Sequence, residues 1–403
     1  MRLKVTKASG APTLGITLLL ASLSMISPLS IDTFLPSLPT IAGDFHITAW
    51  QAQQIITAYL LPFAAFSLVH GSLSDALGRR RVVIGGLALY TAGSLGCFLA
   101  PSFGLLLFCR VLQGTAAGIG STVARAVVRD LFEGANAQKL MSSIMLVFSL
   151  APAVAPVIGG WLHVTFGWRS VFGLLLLVGL ALMVVCALLL PETHPKSKRI
   201  AFHPVTLLRS CWQVASGMPY LLLALSAAFS IAPLFAFIGS TPAIILERWH
   251  LKETQFYYVF IPVVAGFMVS SLLGGAMAGR VPRVRQLALG FSLLFFSAIV
   301  LLVVHGLTGV APILLVQCLL FCMALGVQLT SPILSLEMLD MHPLARGAAA
   351  SVQAFVSLGV GGVMMGIVAP FLDGDLLLLS WIALGLYLAS WLAWRGSSAL
   401  RAR

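Results

Sequence analysis

Twelve runs of apolar residues recur along the 403-residue chain, near 13–38, 50–72, 82–100, 103–127, 138–162, 168–190, 219–241, 254–278, 286–306, 310–335, 346–370 and 376–395. Each is long enough, at about 20 helical residues, to cross a hydrocarbon layer of roughly 30 Å. Only helices and closed barrels satisfy their backbone polar groups in that medium. The runs are continuous and do not alternate with period two, which selects helices over a barrel. Composition agrees: 59% of residues are hydrophobic, 9% are charged and the mean hydropathy is +1.02, outside the range of soluble globular domains.

The net charge of +12 does not mark a nucleic-acid binder, because the 24 Lys and Arg fall in short clusters between apolar runs with no aromatic-interleaved basic face. It reads as a topology signal. With the N-terminus inside, twenty of the basic residues fall on inner segments, three (Arg169, Arg248 and Lys252) fall outside, and Arg110 lies within a span. Both termini are therefore expected on the cytoplasmic face. The first apolar run exceeds a usual signal-peptide core and leads into a multispanning chain, so it is read as a retained helix. The six cysteines lie in spans or on the cytoplasmic side, where disulfides are not expected.

The longest inner connection, Pro191 to Gln213, is basic and broken by prolines, and it separates six spans from six. Each half also carries a Gly-rich, Arg-terminated turn between its second and third spans, GSLSDALGRRR at 71–81 and GGAMAGRVPR at 274–283. The expected architecture is an all-α polytopic membrane protein of twelve transmembrane helices in two six-helix bundles, 1–190 and 218–403, joined by a cytoplasmic linker at 191–217. Paired halves of this kind are common in secondary transporters, which bind substrate between them. No GxxxxGK[ST] string and no Cys/His cluster is present, so no nucleotide, cofactor or metal is expected.

Of twelve acidic residues, only Asp32 sits well inside an apolar run. A charge there costs several kcal/mol, which makes an intramembrane carboxylate a functional candidate. Asp32 lies six residues from the outer end of the first span and Arg110 seven residues from the outer end of the fourth, so the two share one level. The expectation is that they face one another, with Gln113 adding a polar group a turn away from Arg110. Such a pair would work as a proton switch. Asp32 beside Arg110 releases a proton, and Asp32 withdrawn from it binds one.

In the loop between the second and third spans, Gly71 and Gly78 are expected to allow a tight turn, Asp75 to pair with an arginine, and Arg79 and Arg80 to meet the inner surface. Arg125 and Arg129 at the end of the fourth span are candidate partners of Asp75, in a latch that breaks when the halves rock. In the fifth span, APAVAPVIGG (151–160) aligns Ala151, Ala155 and Gly159, and likewise Pro152, Pro156 and Gly160, on a narrow face that a helix of the other half can approach closely. Tyr59, Phe63, Phe235, Gln317 and Gln328 could line a substrate cavity, with packing or an interhelix hydrogen bond as the competing reading of each. His70 and His163 are read as interfacial, and Glu337 and Asp340 as charges beyond the tenth span.

These strings together resemble the major facilitator superfamily, and within it the drug:proton antiporters of the Bcr/CflA type, over essentially the whole chain. DTFLPSLP (32–39) resembles the acidic first-helix motif of that branch, and GSLSDALGRRR the superfamily's loop signature, with Ala76 where a basic residue is usual and Ser72 where Pro is frequent. RVLQG (110–114) resembles the fourth-helix motif, whose Arg is assigned a role in proton transfer, and APAVAPVIGGWL the antiporter motif of the fifth. GWRSVF (167–172) and RGAAASVQAF (346–355) are further similarities.

The resemblance implies a monomeric carrier in a bacterial inner membrane that exports amphiphilic drugs or metabolites against proton entry by alternating access. Its partners would be a small-molecule substrate, protons and the lipid bilayer. A dedicated metabolite or sugar exporter, or an importer on the same fold, is the alternative within transport. A membrane-embedded enzyme would need a clustered nucleophile, acid–base pair or metal site, and none is visible. A channel would need a filter-like loop, and none is present.

Overall fold

The structure, a computed structural model, describes residues 14–199, 202–309 and 311–401. Arg2, Lys4, Lys7 and Arg403 of the charge count, and Ile200 and Ala201 of the linker, lie outside the described residues. Twelve helices are long and apolar enough to cross a membrane, and the described residues contain no strand.

We number the twelve as α1 Leu14–Asp32, α2 Ala49–Leu77, α3 Arg79–Leu99, α4 Phe103–Leu131, α5 Gly134–Phe166, α6 Arg169–Leu189, α7 Met218–Gly239, α8 Tyr257–Met277, α9 Arg283–Thr308, α10 Ile313–Met341, α11 Arg346–Val363 and α12 Leu376–Arg401. Each expected apolar run overlaps one of them. Local chemistry sets several ends. At the start of α2, Thr48 and Gln51 form a reciprocal capping box, and at the start of α4 the Ser102 hydroxyl accepts the Leu105 N–H. Gly78, at φ +98°, lets the chain reverse from α2 into α3.

The first span departs from expectation. Its helix stops at Asp32, and a 3-10 turn (Leu35–Ser37) and a short helix (Leu38–Asp44) complete the passage. Pro36 and Pro39 lack the N–H groups a continuous helix would need, and the Thr33 side chain and N–H both turn back onto the Leu29 carbonyl. Conversely, α2 runs past Gly71, which makes no turn, and α10 runs through Glu337 and Asp340.

The two sets of six helices pack alike. In the first, α1 packs on α4, α5 and α6, α4 on α2 and α3, and α3 on α6. In the second, α7 packs on α10, α11 and α12, α10 on α8 and α9, and α9 on α12. The sets meet where α2 crosses α11 and α5 crosses α8. A linker helix, Pro204–Ala215, lies against α2, α7 and α11.

Close contacts between the sets gather on the side away from that linker. The Gln53 amide donates to the Gly239 carbonyl at 2.8 Å and the Gln54 amide to the Gly366 carbonyl at 3.1 Å. Gly366 lies against Thr57, Gly362 against Leu60 and Leu61, and Gly160 against the backbone of Glu253 and Thr254. All of these residues belong to the far halves of their helices or to the loop at that end. Small residues there let the backbones approach.

Candidate functional site

Two turns into α4, Arg110 is fully enclosed, with 0% of its surface exposed. Its Nε donates to the Ile55 carbonyl of α2 at 3.2 Å, and its Nη1 to the Ser30 carbonyl of α1 at 3.2 Å and to Gln113 Oε1 at 2.9 Å. Phe34 and Tyr59 hold the guanidinium between their rings, each with its centroid 4.5 Å from Cζ. This geometry supplies cation–π attraction where water is excluded. Among the described residues, Nη2 has no hydrogen-bond partner.

The neighbours of Arg110 are themselves fixed. Gln113 donates to Ser94 Oγ at 2.7 Å, and Ser30 Oγ shares a 2.5 Å hydrogen bond with the Tyr90 hydroxyl. Gly114 brings α4 against the backbone of Tyr59, and Gly93 brings α3 against Gln113. The Ser30 carbonyl belongs to the last turn of α1, where carbonyls lack helical partners, so a guanidinium there satisfies a group that the helix leaves open.

Asp32 is buried at the end of α1 and, among the described residues, has no hydrogen-bond or ion-pair partner. The expected pairing with Arg110 is therefore not made. The shared level is right, since Arg110 binds a carbonyl only two residues before Asp32. The direction is not, because residues two apart on a helix project about 200° apart. Gln113 lies beside Arg110 as expected, but as its bonded partner.

The loop after α2 is also rewired. Asp75 pairs with Arg79, four residues on, and not with Arg125 or Arg129. Arg79 further binds Asp130 at 3.2 Å and Ser74 at 2.6 Å, while its backbone N–H donates to Glu192 at 2.9 Å. Thr193 donates to Asp130 at 2.8 Å, Arg199 pairs with Glu192 at 3.3 Å, and Arg80 donates to the Ala187 carbonyl. A Cβ on Gly78 would run into Arg199 and Glu192. Neighbouring helix positions point about 100° apart, so the end of α4 turns Asp130, and neither Arg125 nor Arg129, toward this loop. The network joins the first half to the start of the linker, and not to the second half.

In α5 the small residues divide between two faces. Gly159 lies against the Thr33 carbonyl within the first half, while Gly160 lies against the second half; Ala151, Ala155 and Pro156 are buried and Pro152 is half-buried.

The five candidate cavity residues do not come together. Tyr59 is buried against Arg110, with its hydroxyl 3.4 Å from the Ser27 carbonyl, and Phe63 packs on its ring. Phe235 packs against Gly361, and the Gln317 amide donates to the Tyr258 carbonyl at 3.1 Å. Gln328 alone borders an open space, of about 840 Å³, between α8, α9 and α10.

His70 departs from expectation as well. His70 is buried, its Nε2 2.8 Å from the Thr115 carbonyl, and joins α2 to α4 instead of sitting at an interface. His163 is half-buried, 3.2 Å from the Thr40 hydroxyl. Glu337 pairs with Arg401 at 2.7 Å and Asp340 with Arg283 at 3.3 Å. Sequence reasoning missed Asp130, Glu192, Phe34 and Tyr90. The proximity of Asp130 to a helix end also bearing Arg129, and of Glu192 to the end of α6, offered the only signals.

Comparison with known proteins follows the same lines. Residues 20–370 match the sequence profile of the Major Facilitator Superfamily. The chain is similar to the "Uncharacterized MFS-type transporter YdgK" of Bacillus subtilis (strain 168), 30% identical over 325 residues, 80% of this chain and 81% of the relative. It is 29% identical over 363 residues to a "Bicyclomycin resistance protein homolog" of Haemophilus influenzae, covering 87% of this chain and 88% of the relative. Similarity to the "Multidrug resistance protein MdtL" of Escherichia coli is 26% over 384 residues, 90% and 94% of the two chains.

Proposed function

The chain belongs to the Major Facilitator Superfamily, and on that premise we propose that it exports small amphiphilic drugs or metabolites against proton entry, with Asp32 as the proton carrier. It is a multi-pass membrane transporter and not an enzyme. The names of its relatives, one for bicyclomycin resistance and one for multidrug resistance, support a cargo of this class. The placement proposed is a bacterial inner membrane, as a monomer with both termini and the linker cytoplasmic, in line with the Lys and Arg asymmetry.

The observation that carries the reading is the solitary carboxylate of Asp32, buried in a span and without a partner, at the level of a buried arginine. An ionised carboxylate in that setting costs several kcal/mol unless it is paired, so a protonated and a deprotonated state demand different surroundings. Arg110 Nη2 is the free donor nearest in kind to that need. In the mechanism proposed, the proton-loaded state keeps Asp32 away from Arg110, and release brings the carboxylate toward Nη2.

Alternating access is proposed to move 1–190 against 218–403, with 191–217 as the tether. In that reading, the close contacts on the far side would shut the carrier toward the outside. Gly160 against Glu253 and Thr254 would keep that closure dry. The ion pairs of Arg79 with Asp75 and Asp130, and the linker contacts of Glu192, would brace the first half as it moves.

The test is proton movement in proteoliposomes holding an imposed pH gradient, read by a quenched dye while candidate drugs are added, for wild type and Asp32→Asn. Collapse of the gradient by drug in wild type alone is the expected result. Equal collapse in both proteins removes Asp32 from the proton path.

A further inference from the structure

On the linker side of the second half, α8 and α9 both pack on α10 while barely touching one another, and the space between them is a cavity of about 840 Å³. Its counterpart in the first half, between α2, α3 and α4, is occupied by Ser74, Asp75, Arg79 and Asp130. In the second half the corresponding turn supplies Arg280 and Arg283, and no carboxylate lines the cavity.

The lining has two characters. Arg280 and Gln328 have no side-chain partner among the described residues, and Arg283 holds only Asp340, at 3.3 Å, with both side chains 55% exposed. The opposite wall is apolar, formed by Leu329, Pro332, Ile333 and Leu336. Leu336 of that wall is exposed at the surface. A cationic end with free donors, next to an apolar wall that continues onto the surface of a membrane-spanning bundle, matches one kind of molecule in both charge and polarity.

We propose that this cavity binds an anionic phospholipid from the leaflet on the linker side. Arg280 and Arg283 would take the phosphate, since guanidinium forks match phosphate oxygens. Gln328 would donate to the glycerol ester oxygens, and the acyl chains would lie along Pro332 and Leu336. Basic pockets between membrane helices bind anionic headgroups on these grounds. The apolar wall favours a lipid over a free phosphate, which has nothing to place against it. The site is independent of the transport reading.

The test uses the full chain purified in a neutral detergent and titrated with phosphatidylglycerol or with phosphatidylcholine of the same chains, with retained lipid counted by native mass spectrometry. Wild type is expected to retain one phosphatidylglycerol about tenfold more tightly than phosphatidylcholine, in line with charge-assisted bonds to two arginines. Arg280→Gln with Arg283→Gln should remove that preference. Gly275→Leu should also weaken retention, because a Cβ there meets no atom within 4 Å and the side chain would occupy the cavity with the charges intact. Arg248→Gln, at the opposite end, should change nothing.

Equal retention of the two lipids by wild type would overturn the proposal. So would undiminished preference in the arginine double variant or in Gly275→Leu. Because one variant removes charge and the other removes space, misfolding of either leaves the other to decide. Displacement of the lipid by millimolar inorganic phosphate alone would assign the cavity to a free anion, and also overturn it.

Discussion

The turn between α2 and α3 and the turn between α8 and α9 occupy the same place in two similarly packed halves, yet they treat an arginine in opposite ways. The Arg79 side chain is 9% exposed and bonded to two aspartates and a serine, whereas Arg283 is 55% exposed and bonded to one equally exposed aspartate. The difference comes from other segments. Asp130 at the end of α4 and Glu192 at the start of the linker close over the first turn, and the second turn is left beside an open cavity. A repeated string therefore places the arginine, and the helix end that meets it decides its burial.

The same contrast holds deeper in. Among the described residues, the buried charged side chains, Asp32, Arg79 and Arg110, all lie in the first half. The buried polar groups of the second half are hydroxyls and amides, such as Ser226, Ser230 and Ser390, which bond to one another across α7 and α12 at 2.8 to 3.2 Å. Buried charge thus sits in the first half, whereas the ion pairs of the second half, Arg283 with Asp340 and Arg401 with Glu337, lie at its helix ends.

Three sets of variants would break or sharpen this contrast. The largest effect is expected from Arg110→Lys, which keeps the charge but loses the fork and the ring stacking. Stability should fall by about 4 kcal/mol, through lost charge-assisted bonds and cation–π contact, and transport should fall with it. Equilibrium unfolding in detergent measures the first and vesicle uptake the second. Asp130→Asn should cost about 3 kcal/mol by stripping a partner from the buried Arg79, whereas Asp340→Asn at the equivalent turn should cost under about 1 kcal/mol. Equal costs by the same unfolding assay would erase the distinction between the turns. Ser390→Ala should cost about 1 kcal/mol and leave proton coupling unchanged in the dye assay, as a neutral hydrogen bond in the second half.

Much of the fold was legible because hydropathy over some twenty residues is a strong signal in lipid, and the rarity of charge in the spans pointed to Asp32 and Arg110. What the sequence carries poorly is direction around a helix axis. Counting from span ends placed Asp32 and Arg110 at one depth but not on facing sides, since a residue count carries no direction around the axis and passes over the break that Pro36 and Pro39 impose just after Asp32. Asp130 and Glu192 read as ordinary surface acids, because the ion pairs and hydrogen bonds that half-bury them come from segments remote in sequence. Gly71 and Gly78 look alike as letters, but only Gly78 sits where the backbone needs a positive φ.

The solitude of Asp32 has an electrical corollary. If its proton is the only charge carried inward per cycle, exchange for a neutral molecule moves one net positive charge across the membrane, and the membrane potential then contributes about 2.3 kcal/mol per 100 mV in addition to the pH difference. Exchange for a monocation moves none, so only the pH difference remains to drive it. The same carrier would thus concentrate neutral cargo more steeply than cationic cargo in a polarised cell, and would lose that advantage when the voltage is collapsed.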